Sequence, residues 1–344
     1  MSSSLLRPLV RLLPQIIALA VILALNTAIA PGFLEVSFAD GRLYGSLIDI
    51  LNRGAPTALL AIGMTLVIAT RGIDLSVGAV MAIAGAVAAA LITSGVPLAS
   101  TLLIAIGVGT LCGLWNGILV AGLSIQPIIA TLILMVAGRG IAQLITEGVI
   151  LTFNDPGLVF VGSGTFLALP VPVLLWVVLA GAVVALTRLT ALGLLIETVG
   201  INRRAATYSG VRTGILLLLV YAISGLCASV AGIVAAADIK GADANNAGLW
   251  LELDAILAVV IGGTSLLGGR FSIAGSLLGA LIIQSINTGI LLAGFPPEFN
   301  LVIKAAIIVV ILVVQSPASR TLFAIARIRR TAPTDERAPQ KVMS

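Results

Sequence analysis

A chain of 344 residues that is 59% hydrophobic and 10% charged, with a mean hydropathy of +1.19, falls far below the roughly 25% charge of a soluble domain and is an integral membrane protein with no stretch left over for a soluble one. Its net charge of +5 and pI near 9.8 are spread over loops and span ends rather than along one basic face, which excludes nucleic acid as a partner. Histidine is absent, Cys112 and Cys227 lie in apolar runs without a CxxC neighbour, and no GxxxxGK[ST] loop occurs; this removes the commonest general base, a metal site, a disulfide framework and P-loop ATP hydrolysis.

Apolar runs near 12–31, 47–70, 74–94, 97–123, 127–146, 169–187, 212–237, 254–268, 271–293 and 300–316 predict about ten transmembrane helices, each needing ~20 residues. The fold class is all-α and polytopic, a single membrane domain over residues 1–344 with two Gly-broken segments. Arg7 and Arg11 precede a first run that is longer than a signal-peptide core and lacks a cleavage site, so it is an uncleaved span. Even parity puts both termini on one side, and the Lys/Arg bias makes that side cytoplasmic. There lie the segment 1–11, Arg71, the loop 188–212, Arg270 and the tail 317–344 with Arg320, Arg327, Arg329, Arg330, Arg337 and Lys341. The outer loops keep Arg42 and Lys240 among Glu35, Asp40, Glu147, Asp155, Asp238, Asp243 and Glu298.

Along the chain, Asp49 and Arg53 are spaced to pair on one helix face. Only a short apolar run from Pro56 precedes Thr-Arg-Gly-Ile-Asp-Leu-Ser-Val-Gly (70–78), and from Ala255 to Ile261 only seven residues precede Gly-Gly-Thr-Ser-Leu-Leu-Gly-Gly-Arg (262–270). Short, Gly-interrupted runs in two halves of a transporter mark helices broken around a translocation path, which residues 70–78 and 252–265 are expected to flank. Asp74 is placed to cap the next helix by accepting from N–H groups near Val77; Ser76 and Thr264 lie in or beside the breaks. Asn116 and Asn287 are mid-span amides able to bond across helices or to a hydroxylated ligand. A faint echo links Leu-Trp-Asn-Gly-Ile-Leu (114–119) to Ser-Ile-Asn-Thr-Gly-Ile-Leu (285–291). Arg139 and Lys304 have no local acid and are expected to pack inward or snorkel. Glu252 and Asp254 open the eighth span as caps or as the lining of an outer vestibule. Small residues spaced four apart, as in Gly78 to Gly85 and Gly275 to Ala280, predict close helix packing.

The polar island Arg188 to Arg212 carries Arg188, Arg203, Arg204 and Arg212 against one acid, Glu197. Gly200 and Gly210 bracket about two or three turns of helix. Such a short surface helix suits a docking element; the plain alternative is a basic loop that only sets topology.

Gly-Ile-Asp-Leu-Ser-Val-Gly (72–78), Asn-Gly-Ile-Leu-Val (116–120), Gln-Pro-Ile-Ile-Ala-Thr-Leu (126–132), the island at 200–211 and Glu-Leu-Asp-Ala-Ile-Leu-Ala-Val-Val-Ile-Gly-Gly-Thr-Ser-Leu-Leu-Gly-Gly (252–269) together resemble permease subunits of bacterial ABC sugar importers of the ribose, xylose, arabinose and galactose type. The match runs in order from about 45 to 316, and in detail it looks closest to galactofuranose-type permeases. The resemblance implies an inner-membrane complex of two permeases, identical or related, a cytoplasmic ATPase pair that holds the ATP and Mg, and a periplasmic sugar-binding protein; this chain itself holds no cofactor. It implies that Val199, Gly200, Ile201, Asn202, Arg203, Arg204, Ala205, Ala206, Ser209 and Gly210 form the coupling helix that docks into the ATPase. Ala205 and Ala206 are then small for packing, and Asn202, Arg203 and Arg204 polar for the wet face. Arg71 stands where the family usually has Gly, and Arg270-Phe271 replaces a small, Gly-containing turn.

Composition alone also allows an ion-coupled secondary carrier with Asp74, Glu252 and Asp254 as ion ligands, or a channel. Among ABC permeases, one for branched-chain amino acids is the nearest alternative.

Overall fold

The computed structural model describes residues 3–39, 41–296 and 298–315. Asp40, the side chains of Arg7 and Arg11, and the tail 317–344 lie outside the described residues. The first unit, to Pro296, opens with α1 (Ser3–Ile29), the hairpin β1 (Ser37–Ala39) and β2 (Arg42–Tyr44), α2 (Ser46–Arg53), α3 (Ala55–Ala69) and α4 (Val77–Thr93). Next come α5 (Leu98–Gly117), prolonged by a π-helical turn over Ile118–Gly122, then α6 (Pro127–Ile145), β3 (Leu151–Thr152), α7 (Pro156–Ser163) and the hairpin β4 (Thr165–Phe166) and β5 (Leu169–Pro170). It closes with α8 (Val171–Leu189), α9 (Leu192–Ile201), α10 (Arg203–Tyr208), α11 (Thr213–Asp238), β6 (Gly241–Ala242), α12 (Leu251–Ile261) and α13 (Ile273–Leu292). A second unit holds α14 (Phe299–Gln315), by itself an apolar helix of 17 residues.

A helix occupies each predicted apolar run. Six among the described residues are long and apolar enough to cross a membrane, or seven if the bent pair α2 and α3 is one span, so the chain is a multi-span helical membrane protein. The 46° bend in that pair falls at Gly54 and Pro56, where proline removes a ladder donor. No ion pair closes between Asp49 and Arg53 among the described residues; Arg53 is a charged neighbour of Asp238 at the end of α11.

The centre of the unit is α11, 26 residues long, which packs on α3, α4 and α5. Its contacts are made by backbone. A Cβ on Gly225 would collide with the Gly109 carbonyl of α5, one on Gly113 with the Tyr221 carbonyl of α11, and one on Gly232 with the Met81 carbonyl of α4. Lipid offers no hydrophobic drive between helices, so such close approach supplies the dispersion contacts that hold them together. A second layer follows the same rule: Gly279 of α13 lies on Ala258 of α12, and Asn26 of α1 donates to the Ser285 carbonyl at 2.9 Å.

The two ends of the bundle differ in charge. At one end β3 pairs antiparallel with β6, and the β1–β2 hairpin reaches the β4–β5 turn through Leu43 N–H to the Ala168 carbonyl at 3.1 Å; these segments carry Glu35, Glu147, Asp155 and Asp243. At the other end the residues around 69–71, 200–201 and 267–269 meet, among Arg71, Arg203 and Arg270.

The glycine seam gives a direct expectation. Gly225→Leu drives a side chain into the α5 backbone and is expected to cost at least ~1–3 kcal/mol, read as loss of monodisperse, heat-stable protein in detergent. Gly107→Leu, on α5 where nothing lies within 4 Å of a Cβ, is expected to leave the melting temperature near that of the unaltered protein.

Candidate functional site

Between α3 and α4 the chain runs unwound from Thr70 to Ser76, and the buried polar side chains of Asp74, Ser76, Asn116, Thr131 and Ser224 gather on this break. Ser224, the twelfth of 26 residues in α11, stands opposite it, so the break lies deep in the bundle. Asp74 is 1% exposed. One carboxylate oxygen accepts from the Ser76 N–H at 3.1 Å and the Ser76 hydroxyl at 2.6 Å; the other accepts from the Ser224 hydroxyl at 2.8 Å. The Asn116 amide, from α5, donates to the Ser76 oxygen at 2.8 Å. Three donors on one buried carboxylate offset part of the desolvation that burial imposes.

The expected capping of α4 is therefore corrected. The helix starts at Val77 with no side-chain cap bond, and Asp74 closes a turn onto Ser76 while binding α11. An Asp three residues before the start of a helix reads as a cap in sequence, but Ser224 draws one oxygen across the bundle.

Three residues that the sequence reading did not name complete the site. Thr131 of α6 accepts from the Leu75 N–H at 3.2 Å and lies 3.2 Å from the Ile73 carbonyl, bracing the unwound backbone; its place inside the 126–132 motif was the available signal. Ser224 and Tyr221 sit on an otherwise apolar helix and gave none. The Tyr221 hydroxyl is buried against Gly72, where a Cβ would come within 2.6 Å of it. Neither that hydroxyl nor Asn116 Oδ1 has a hydrogen-bond partner among the described residues.

Of the other predicted path residues, Glu252 approaches the break, its carboxylate lying where a Cβ on Gly78 would fall. Glu252, buried, lines a cleft of about 400 Å3 with Arg139, Gln143, Met135 and Leu249. The helix beginning there, α12, has Trp250 in the left-handed region at its start with no cap bond from the Trp250 side chain, and the Glu252 carboxyl faces the Trp250 and Glu252 N–H groups of that first turn. Asp254 is buried one turn into α12. Thr264 accepts from the Ser272 N–H at 3.4 Å. Asn287 is half-buried and, like Asn116, has an Oδ1 without a hydrogen-bond partner among the described residues, whereas a bond like that of the Asn116 amide to Ser76 is not found for it among them. Arg139 finds partners from beyond its own helix, donating to the Ala244 and Ala247 carbonyls at 3.0 and 2.6 Å with Glu252 and Asp243 as charged neighbours. In the same loop, the Asn246 amide at 2.8 Å and the Asn245 and Asn246 N–H groups hold the Asp243 carboxyl below the usual carboxylate range.

The island is two helices rather than one. Asn202 breaks it, accepting from the Ala205 N–H at 3.0 Å to cap α10, and Gly210 ends α10 at φ +87°. Gly200 does not bound the helix; it lies inside α9, where only a missing Cβ lets the chain touch the Ala69 carbonyl. Ala206 turns inward, in one apolar cluster with Val199, Leu216 and Leu217, so bulk there would strike this chain's own core. Ala205, Arg203, Arg204 and Ser209 face outward together with Tyr208, 89% exposed, and Ile201, 61% exposed.

A multi-span bundle with a polar break braced by α5, α6 and α11, and a short capped helix at its basic end, has the build of a membrane permease subunit. The chain belongs to the family described as branched-chain amino acid transport system / permease component, whose model matches residues 46–312. It is 64% identical over 304 residues to the galactofuranose transporter permease protein YtfT of Escherichia coli (strain K12), covering 88% of this chain and 89% of that one. It is 42% identical to the fructose import permease protein FruF of Bifidobacterium longum, over 92% of this chain and 90% of the relative. It is 36% identical to the ribose import permease protein RbsC of Escherichia coli (strain K12), over 88% and 92%. No solved structure matches it significantly.

Asp74 variants test the network. In Asp74→Asn the amide oxygen can still accept from Ser76, and the Ser224 hydroxyl can turn to accept, so a modest loss of transport is expected. Asp74→Leu strands the Ser76 and Ser224 donors at about 1–3 kcal/mol each and is expected to lower folded yield and abolish uptake. Equal, severe loss in both variants with normal folded yield would assign the carboxylate to charge chemistry instead.

Proposed function

We propose that this chain is the membrane-spanning subunit of an ATP-driven importer for a monosaccharide of the galactofuranose, ribose and fructose group. It works by alternating access while ATP and Mg are bound on separate ATPase subunits. The observation that carries this reading is the 64% identity to a galactofuranose permease across nearly the whole of both chains. The family description names branched-chain amino acids, whereas these relatives are named for sugars; the relatives cover the substrate more narrowly and are preferred.

In this reading the chain lies in a bacterial inner membrane with about ten spans and both termini cytoplasmic. The separation of acidic from basic segments between the two ends of the bundle supports that orientation. The residues 199–210 dock into the ATPase, a second permease completes the translocator, and a periplasmic binding protein delivers the sugar to the acidic end. The route passes the break at 70–78 and the segment 252–265. Asn116 Oδ1 and the Tyr221 hydroxyl, unpartnered beside the break, are groups a hydroxylated solute can bond as the break opens.

Reconstitution of the permease with its ATPase and binding protein tests the function. Galactofuranose, ribose or fructose on the binding protein is expected to stimulate ATP hydrolysis, and leucine is not. Uptake that persists without the ATPase and collapses with the proton gradient would overturn the reading in favour of an ion-coupled carrier. For orientation, in a chain with Cys112 and Cys227 replaced, Ser163→Cys is expected to react with an impermeant thiol reagent from outside and Ala205→Cys only after the membrane is opened; the reverse pattern inverts the topology. For docking, Ala205→Trp and Tyr208→Ala are expected to release the ATPase on co-purification, because they alter the exposed face of α10. Arg203→Ala, an exposed charge contributing ~1 kcal/mol or less, is expected to leave it bound.

A further inference from the structure

Arg71 holds a backbone conformation that glycine adopts freely and other residues rarely do, φ +64°. A strained non-glycine residue persists only where its surroundings over-determine it, and here the side chain supplies the reason. Arg71 Nε donates to the Leu267 carbonyl at 2.7 Å, and Nη2 donates to the Ile201 carbonyl at 2.8 Å. One guanidinium thus joins the first break to the second break and to the last residue of α9, directly before α10. The backbones interlock at the same place: Gly269 N–H donates to the Ala69 carbonyl at 2.9 Å, and a Cβ on Gly200 would collide with that same carbonyl. A Cβ on Gly268 would collide with the Arg71 side chain itself.

We propose that Arg71 is a positioning residue that fastens both broken segments to the α9–α10 unit, so that displacement of α10 is delivered to the two breaks together. This rests on the reading of α10 as the ATPase docking element. The physical demand is for two donors in a fixed fork reaching carbonyls on two different segments, which guanidinium meets and the single ammonium of lysine does not. Gly72 follows Arg71 against the Tyr221 hydroxyl, and Asp74 lies three residues on, bound to Ser76 and Ser224. A pull on Arg71 therefore reaches the polar break within one short, unwound stretch of chain, whereas a pull on Leu267 reaches the 262–269 turn.

The test uses the assembled permease and ATPase in proteoliposomes, with Cys112 and Cys227 replaced and spin labels at Leu194→Cys on α9, outside the docking residues 199–210, and Leu267→Cys, both exposed positions. With Arg71 intact, the separation of the labels is expected to stay a single narrow distribution in the nucleotide-free and the vanadate-trapped states. Arg71→Gly removes both hydrogen bonds while suiting the left-handed backbone, so the protein is expected to fold, bind the ATPase and hydrolyse ATP. In it the separation is expected to change with nucleotide state, the population at the original distance in the trapped state falling about tenfold, as loss of a typical coupling free energy implies. Arg71→Lys is expected to behave like Arg71→Gly. A separation that stays unchanged between states in Arg71→Gly overturns the proposal, as does an Arg71→Gly chain that folds but no longer binds the ATPase, since Arg71 would then serve docking. Failure of the ATPase to bind the chain with Arg71 intact overturns the docking reading itself, and this inference with it.

Discussion

Helix α11 touches its neighbours through backbone. Gly225 meets Gly109 and Gly113 of α5, and Gly232 meets the Met81 carbonyl of α4, at separations that no other residue permits. In lipid, apolar side chains gain little by leaving hydrocarbon, so association depends on dispersion between closely matched surfaces. These glycine seams fix how far α4 and α5 stand from α11. They thereby fix where Ser224 and Asn116 stand relative to the break at 70–76.

The polar break depends on that spacing. Asp74 is buried where a charge without partners costs several kcal/mol, and its bonds come from residues on both sides: Ser76 from its own strand of chain and Ser224 from α11, with Asn116 of α5 bonding Ser76 in turn. Thr131 of α6 holds the unwound backbone between them. Unwound backbone at depth is tolerated when enclosed by protein that satisfies its polar groups. The same enclosure places an unwound, fully braced segment at the centre of an otherwise helical bundle.

The break also has a basic end. There Ala69 and Arg71 meet Gly200, Ile201 and the 267–269 turn, so the five motif segments that carry the family resemblance converge on one stretch of chain rather than lining separate sites. Residues 72–78 receive Asn116 and Thr131; the island meets residue 69; the 252–269 segment reaches Gly78 through Glu252 and Ala69 through Gly269.

Hydropathy by itself determined the class and the apolar runs, because both depend on local composition and on the ~20 residues needed to cross hydrocarbon. It also located both breaks and the island, since glycine and polar residues interrupting an apolar run are visible without neighbours. The partners could not be read that way. Asp74 looked like a cap because the following helix is adjacent in sequence, while Ser224, 150 residues away, is adjacent only after α11 packs. Gly200 read as a helix boundary and is a contact surface; Ala206 read as a docking face and is core, while Tyr208 beside it is the exposed residue. A six-residue helix between apolar segments has no periodicity long enough to tell its two faces apart. Only the helices it rests on decided which side is out.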